Sequence, residues 1–238
     1  MPAVASEMVQ FTSDRAEVSA FLVEPVTPAP APAVLLLHDW WGLTDHVKAL
    51  ARRFADAGLL ACAPDLYGRV GGGTPADAAQ AAALMSRLSS QTVLRDLNAA
   101  VRFLKEHAAA DPLRLGVVGF SMGGTFALTQ ATHNSDLKAA VVFYGKVPPI
   151  ESFDYLLCPV LYHHAGQDTW VTPAEVAVLG QAREKFGKPI EVCAYPEAPH
   201  GFANEGRPEA YRAGEARAAW DRTLRFLAGR LSKVPGAF

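Results

Sequence analysis

The sequence predicts an α/β protein: a mostly parallel sheet of about eight strands with helices on both faces. Three observations predict it. Apolar runs rich in Val, Leu and Ala recur along the chain and alternate with stretches of helical spacing. Runs such as AVLLLH (33–38) are apolar almost throughout, as strands buried on both faces must be. The 238 residues, half of them hydrophobic, suffice for one large core, and no composition break divides 1–238 into more than a single domain.

The elements follow in order. Residues 7–11 and 16–24 read as a hairpin about the polar turn Ser13-Asp14-Arg15, and the connector VTPAPAPA leads into the strand at 33–38. Residues 44–57 have helical spacing, with Thr44 as cap, Gly58 as stop and apolar residues at 47, 50 and 54. The strand LLACAP (59–64) precedes two helical stretches, 74–88 and 91–108. The strand RLGVVGF (114–120) runs into a helix from Met122, and the strands 137–144 and 159–165 follow. A helix over 173–186, the strand 190–195 and a helix over 209–231 complete the chain. Residues 145–158 are too few to fold as a lid, so no lid domain is expected.

Composition excludes several classes. The net charge of −2 is scattered, which leaves no basic stripe for nucleic acid. The amino terminus lacks a basic segment followed by an apolar one, and no run approaches membrane-spanning length. The three cysteines, Cys62, Cys158 and Cys193, are odd in number and widely spaced, which favours buried free thiols in a reducing compartment. A cytoplasmic protein without membrane or nucleic-acid partners is expected, as monomer or homodimer.

Parallel α/β sheets bind ligands beyond the carboxyl ends of their strands. Ser121 sits there, in Gly119-Phe120-Ser121-Met122-Gly123 between a strand and a helix. A G-x-S-x-G elbow in that setting holds a serine hydroxyl above the sheet as a nucleophile. Serine needs a base, and His200 follows the last strand in EAPHGFAN. His46, His107 and His133 fall in or at the ends of helices and read as surface residues, while His163 and His164 point to opposite faces of a strand. Asp168, in HHAGQDTWVTP, follows another strand and is placed to orient the imidazole. The chain order Ser121, Asp168, His200 is that of the α/β-hydrolase fold. The amide of Met122 is one expected oxyanion donor, and the other belongs to the loop His38-Asp39-Trp40-Trp41-Gly42, whose tryptophans suggest a pocket wall.

The segments HDWWG, APDLYGR, GFSMGGTFAL, VVFYG, GQDTWVTP and PHGFA, in this order and spacing, resemble the dienelactone hydrolase family over roughly residues 15 to 230. The resemblance implies that the Trp40 amide is the second oxyanion donor, that Tyr144 borders the site and that Asp39 stands in place of a glutamate that activates the nucleophile. Three features depart from the family's pattern. Ser121 replaces the usual cysteine, Asp39 is one methylene shorter than glutamate, and the arginines that hold a substrate carboxylate are missing. Asn204 occupies one such position, which leaves Arg69 as the candidate substitute. With Trp40, Trp41, Tyr144 and Phe202 as an aromatic wall, the expected activity is a serine carboxylesterase acting on small neutral short-acyl esters. A lactonase or thioesterase would use the same triad, and a non-catalytic binding protein is the alternative of another class. No zinc-type spacing or phosphate loop appears, so no cofactor or metal is expected.

Overall fold

The computed structural model describes residues 5–232. Strands β1 (Ser6–Ser13) and β2 (Ala16–Val23) form an antiparallel hairpin with Asp14 at φ 54° in its turn, a conformation that Asp tolerates better than most residues. Six more strands complete one sheet: β3 (Ala31–Leu37), β4 (Leu60–Pro64), β5 (Ala110–Phe120), β6 (Leu137–Phe143), β7 (Val160–Gln167) and β8 (Ile190–Pro199). Their spatial order is β1-β2-β4-β3-β5-β6-β7-β8, parallel from β4 through β8. The expected mostly parallel eight-stranded sheet is what the chain forms.

The helices are α1 (Asp45–Asp56), α2 (Ala78–Ser86), α3 (Ser90–Glu106), α4 (Met122–His133), α5 (Pro173–Phe186) and α6 (Ala213–Leu231). Successive side chains of β3 point to opposite faces, and this alternation builds two cores. Val34 and Leu36 pack with Leu50 and Phe54 of α1 and Leu227 of α6. Leu35 and Leu37 pack with Leu97 of α3, Phe126 of α4 and Leu179 of α5. Being covered on both faces is why β3 carries no polar residue. Among the described residues no helix is long and apolar enough to cross a membrane.

Some bounds differ from the sequence expectation, each for a local reason. Helix α2 starts late because Asp77 caps it, accepting the Gln80 amide at 2.8 Å. Strand β5 starts early, since Ala110 pairs with Ala31. Strand β8 continues to Pro199 because Gly166 of β7 has no Cβ to collide with the backbone of Pro196. Residue 200 therefore lies immediately beyond the sheet. Helix α6 begins only at Ala213, which leaves 201–212 as a loop over the strand ends. Between β6 and β7 lies only a 3-10 turn, Ile150–Tyr155, and no lid.

Candidate active site

Ser121 has φ 53° and ψ −117°, a left-handed conformation that costs of order 1–3 kcal/mol for a residue with a side chain. Close packing holds it there. A Cβ at Gly119 would overlap the carbonyl of Gly123, and one at Gly123 would overlap the carbonyls of Leu37 and His38. The glycines thus let β5, α4 and the end of β3 meet at one point. The Ser121 amide donates to the carbonyl of Phe143 at 2.9 Å, tying the turn to β6. Helix α4 begins at the next residue and directs the positive end of its dipole at the turn.

Three strand ends then converge. Ser121 Oγ lies 2.8 Å from His200 Nε2, and His200 Nδ1 lies 2.7 Å from Asp168 Oδ2. The other oxygen of Asp168 accepts the amides of Trp170 at 2.7 Å and Val171 at 2.9 Å. Burial opposes the charge on Asp168, but the hydrogen bonds from His200 and these amides outweigh it and hold its carboxyl below the ordinary value. Tyr144 and Trp170 pack in T-shaped contact with the imidazole, at centroid distances of 4.9 and 5.1 Å. Such a chain can draw the proton from a serine hydroxyl as the oxygen attacks a carbonyl.

Ser121 and His200 open into a cavity of about 180 Å³ that Asp39, Trp40, Trp41 and Tyr144 also line. Among the described residues, neither the Trp40 amide nor the Met122 amide has a protein acceptor. Two free N–H groups beside a serine are what an oxyanion requires. Asp39 lines the cavity with both oxygens occupied: Oδ1 accepts the Trp41 amide at 2.9 Å and Oδ2 accepts the Asn204 amide group at 2.8 Å.

Two expected site residues lie elsewhere. Arg69 forms a two-pronged ion pair with Asp96, at 2.8 and 2.6 Å, and donates to the Ser13 carbonyl, so its charge is committed outside the cavity. Phe202 is fully buried behind Tyr144 and Tyr195 and supports the wall without forming it. A cation that the sequence reading did not single out lines the cavity in place of Arg69. Arg207, on the 201–212 loop, lines the cavity with its guanidinium 3.2 Å above the Trp41 ring, and it makes no ion pair among the described residues. Sequence reasoning stopped at Asn204, while Arg207 reaches the site because its loop folds back across Trp41. Trp170 was also missed, although it stands two residues after Asp168.

The competing side chains are placed without ambiguity. His163 is fully buried between Tyr195 and Thr223, and His164 faces the other way. His133 is exposed, while His46 and His107 are half-buried. The three cysteines are free, and burial pushes the thiols of Cys62 and Cys158 up to about 12. Cys193 is only half-buried, contrary to expectation.

Comparison with known proteins bears on this geometry. The model of the dienelactone hydrolase family matches residues 18–231. The chain is 33% identical over 217 residues to a protein named as a carboxymethylenebutenolidase from Methylorubrum extorquens, covering 86% of this chain and 74% of that one. It is 30% identical over 235 residues to a Bradyrhizobium protein named as a 2-oxo-3-(5-oxofuran-2-ylidene)propanoate lactonase, covering 94% of each. A crystal structure described as a dienelactone hydrolase, from Klebsiella pneumoniae, superposes with a TM-score of 0.88 at 29% identity, over 95% of this chain and 99% of that one. On these matches the chain belongs to the dienelactone hydrolase family, and it is a hydrolase of ester or lactone bonds.

Proposed function

We propose that this protein is a serine hydrolase of small carboxylic esters or lactones that works through an acyl-enzyme. The observation that carries the reading is the continuous hydrogen-bonded chain from Ser121 through His200 to Asp168. Ser121 Oγ attacks the carbonyl carbon as His200 Nε2 takes its proton. The Trp40 and Met122 amides stabilise the oxyanion, and Asp168 holds the imidazole in the required tautomer. His200 then protonates the leaving oxygen and activates the water that releases the acid. The cavity, at about 180 Å³, is below the ~300–1,000 Å³ of pockets that enclose drug-sized ligands, which favours short acyl groups.

Arg207 supports a second reading of the substrate. Neutral esters follow from a pocket without a cation, whereas an unpaired guanidinium at the rim suits a lactone that carries a carboxylate. The names of the two relatives point the same way. Asp39 and Glu209, on the same cavity, oppose it. The test compares kcat/KM for dienelactone with that for ethyl acetate and ethyl butyrate, in the wild type and in Arg207→Gln. Preference for the lactone in the wild type, reduced tenfold or more in the variant with ester turnover unchanged, supports the carboxylate-bearing class. A wild type that prefers the ethyl esters, with Arg207→Gln unchanged on both, leaves the neutral short-acyl ester as the substrate.

A further inference from the structure

The loop that carries the Trp40 amide is held in part by buried side chains, His38 and Tyr67, that do not line the cavity. His38, fully buried at the end of β3, lies with Nδ1 2.6 Å from the carbonyl oxygen of Asp39. Its Nε2 is 3.0 Å from the backbone nitrogen of Leu66. The Leu66 amide can only donate, so Nε2 is the unprotonated nitrogen and Nδ1 carries the proton. His38 therefore donates to the Asp39 carbonyl. That carbonyl belongs to the same peptide unit as the Trp40 N–H, and in a planar trans peptide the two point in opposite directions.

We propose that His38 is a positioning residue of the oxyanion hole, which fixes and polarises the Asp39–Trp40 peptide through its carbonyl so that the Trp40 N–H is held ready for the developing negative charge. The proposal rests on the serine-hydrolase reading above. Further hydrogen bonds hold the loop. The Asp39 carbonyl accepts a second bond from the Gly42 amide at 3.2 Å, and the Trp41 amide is taken by Asp39 Oδ1. The Trp40 carbonyl accepts from the Tyr67 hydroxyl at 2.9 Å, which also lies 3.7 Å from the sulfur of Met122, the other donor residue. The Trp40 N–H itself has no protein acceptor among the described residues. A donor on the carbonyl draws electron density from the nitrogen of the same peptide, so the N–H becomes a stronger donor. Burial also lowers the basicity of His38, which keeps it neutral beside Asp65, whose carboxylate lies 4.0 Å away.

Two substitutions separate the two nitrogens. Asparagine can place an amide N–H near the position of Nδ1, and glutamine can place an acceptor near that of Nε2. His38→Gln keeps the Leu66 bond and loses the donor to Asp39, and His38→Asn does the reverse. The measurements are kcat and KM on ethyl butyrate, and inhibition by a trifluoromethyl ketone that forms a tetrahedral oxyanion on serine. His38→Gln should lower kcat tenfold or more at unchanged KM and weaken the ketone by the same factor, and His38→Asn should recover most of both. Equal losses in the two variants, or an unimpaired His38→Gln, would overturn the proposal. A folded wild type that neither turns over ester nor forms the ketone adduct would instead overturn the hydrolase reading beneath it.

Discussion

Ser121→Ala keeps the Cβ that the elbow already accommodates, so the variant should fold as the wild type does. Its ester turnover should fall by about 10³- to 10⁶-fold, because nucleophile, base and orienting acid act as a unit. A fluorophosphonate should label Ser121 and none of the cysteines, since burial raises the pKa of all three thiols, Cys193 included. Full turnover in Ser121→Ala, or label on a cysteine, would remove Ser121 from the mechanism. At this scale legibility followed position relative to strands. Ser121, Asp168 and His200 each follow a strand end, so alternation and chain order were enough to find them. Arg207 was not legible, because its loop must fold back before the guanidinium meets Trp41. Phe202 and Arg69 were misplaced for a related reason. Near a strand end, the sequence does not show which side chains turn inward to Tyr195 or outward to Asp96.

Where elements meet, the glycines make opposite predictions. In Gly123→Ala the new Cβ must displace the carbonyls of Leu37 and His38, forcing the start of α4 away from the end of β3. Overpacking of this kind costs roughly 1–3 kcal/mol or more. The same displacement moves both N–H groups proposed to hold the oxyanion. The urea midpoint and kcat should therefore fall together. Gly180 of α5 has nothing within 4 Å of its Cβ position, so Gly180→Ala should raise stability by about 0.5–1 kcal/mol and leave kcat alone. If Gly123→Ala kept wild-type kcat, the junction of β3 and α4 would not set the site's geometry. The existence and type of every strand and helix could be read from periodicity, but their ends often could not. Strand β8 runs on to Pro199 through its contact with β7 at Gly166, and α6 starts late because 201–212 is drawn over the strand ends, both effects of tertiary packing.

For the molecule as a whole, acid should act through buried imidazoles before it reaches the carboxylates. Histidine 163 ties β7 to β8 and α6, with Nδ1 3.0 Å from the Tyr195 hydroxyl and Nε2 3.0 Å from that of Thr223. Burial lowers its pKa to about 3. The unfolded chain binds a proton at this residue below about 6.5, and the folded chain does not. Its contribution is therefore fully present above pH 6.5 and is lost as pH falls from there towards 3. Well inside that window the loss is about 1.4 kcal/mol per pH unit for one histidine. Burial shifts His38 in the same direction, which steepens the fall. Asp168, held below its ordinary value, adds to it only under about pH 4. Urea unfolding at pH 7.5, 6.0 and 5.0 should show a midpoint that drops steadily below pH 6.5, before the carboxylates titrate. His163→Gln, which removes the titrating group, should flatten that slope by about one proton even if it lowers stability at pH 7.5. A midpoint unchanged between pH 7.5 and 5.0 would mean that the imidazole between Tyr195 and Thr223 is protonated in the folded protein as readily as in the unfolded chain.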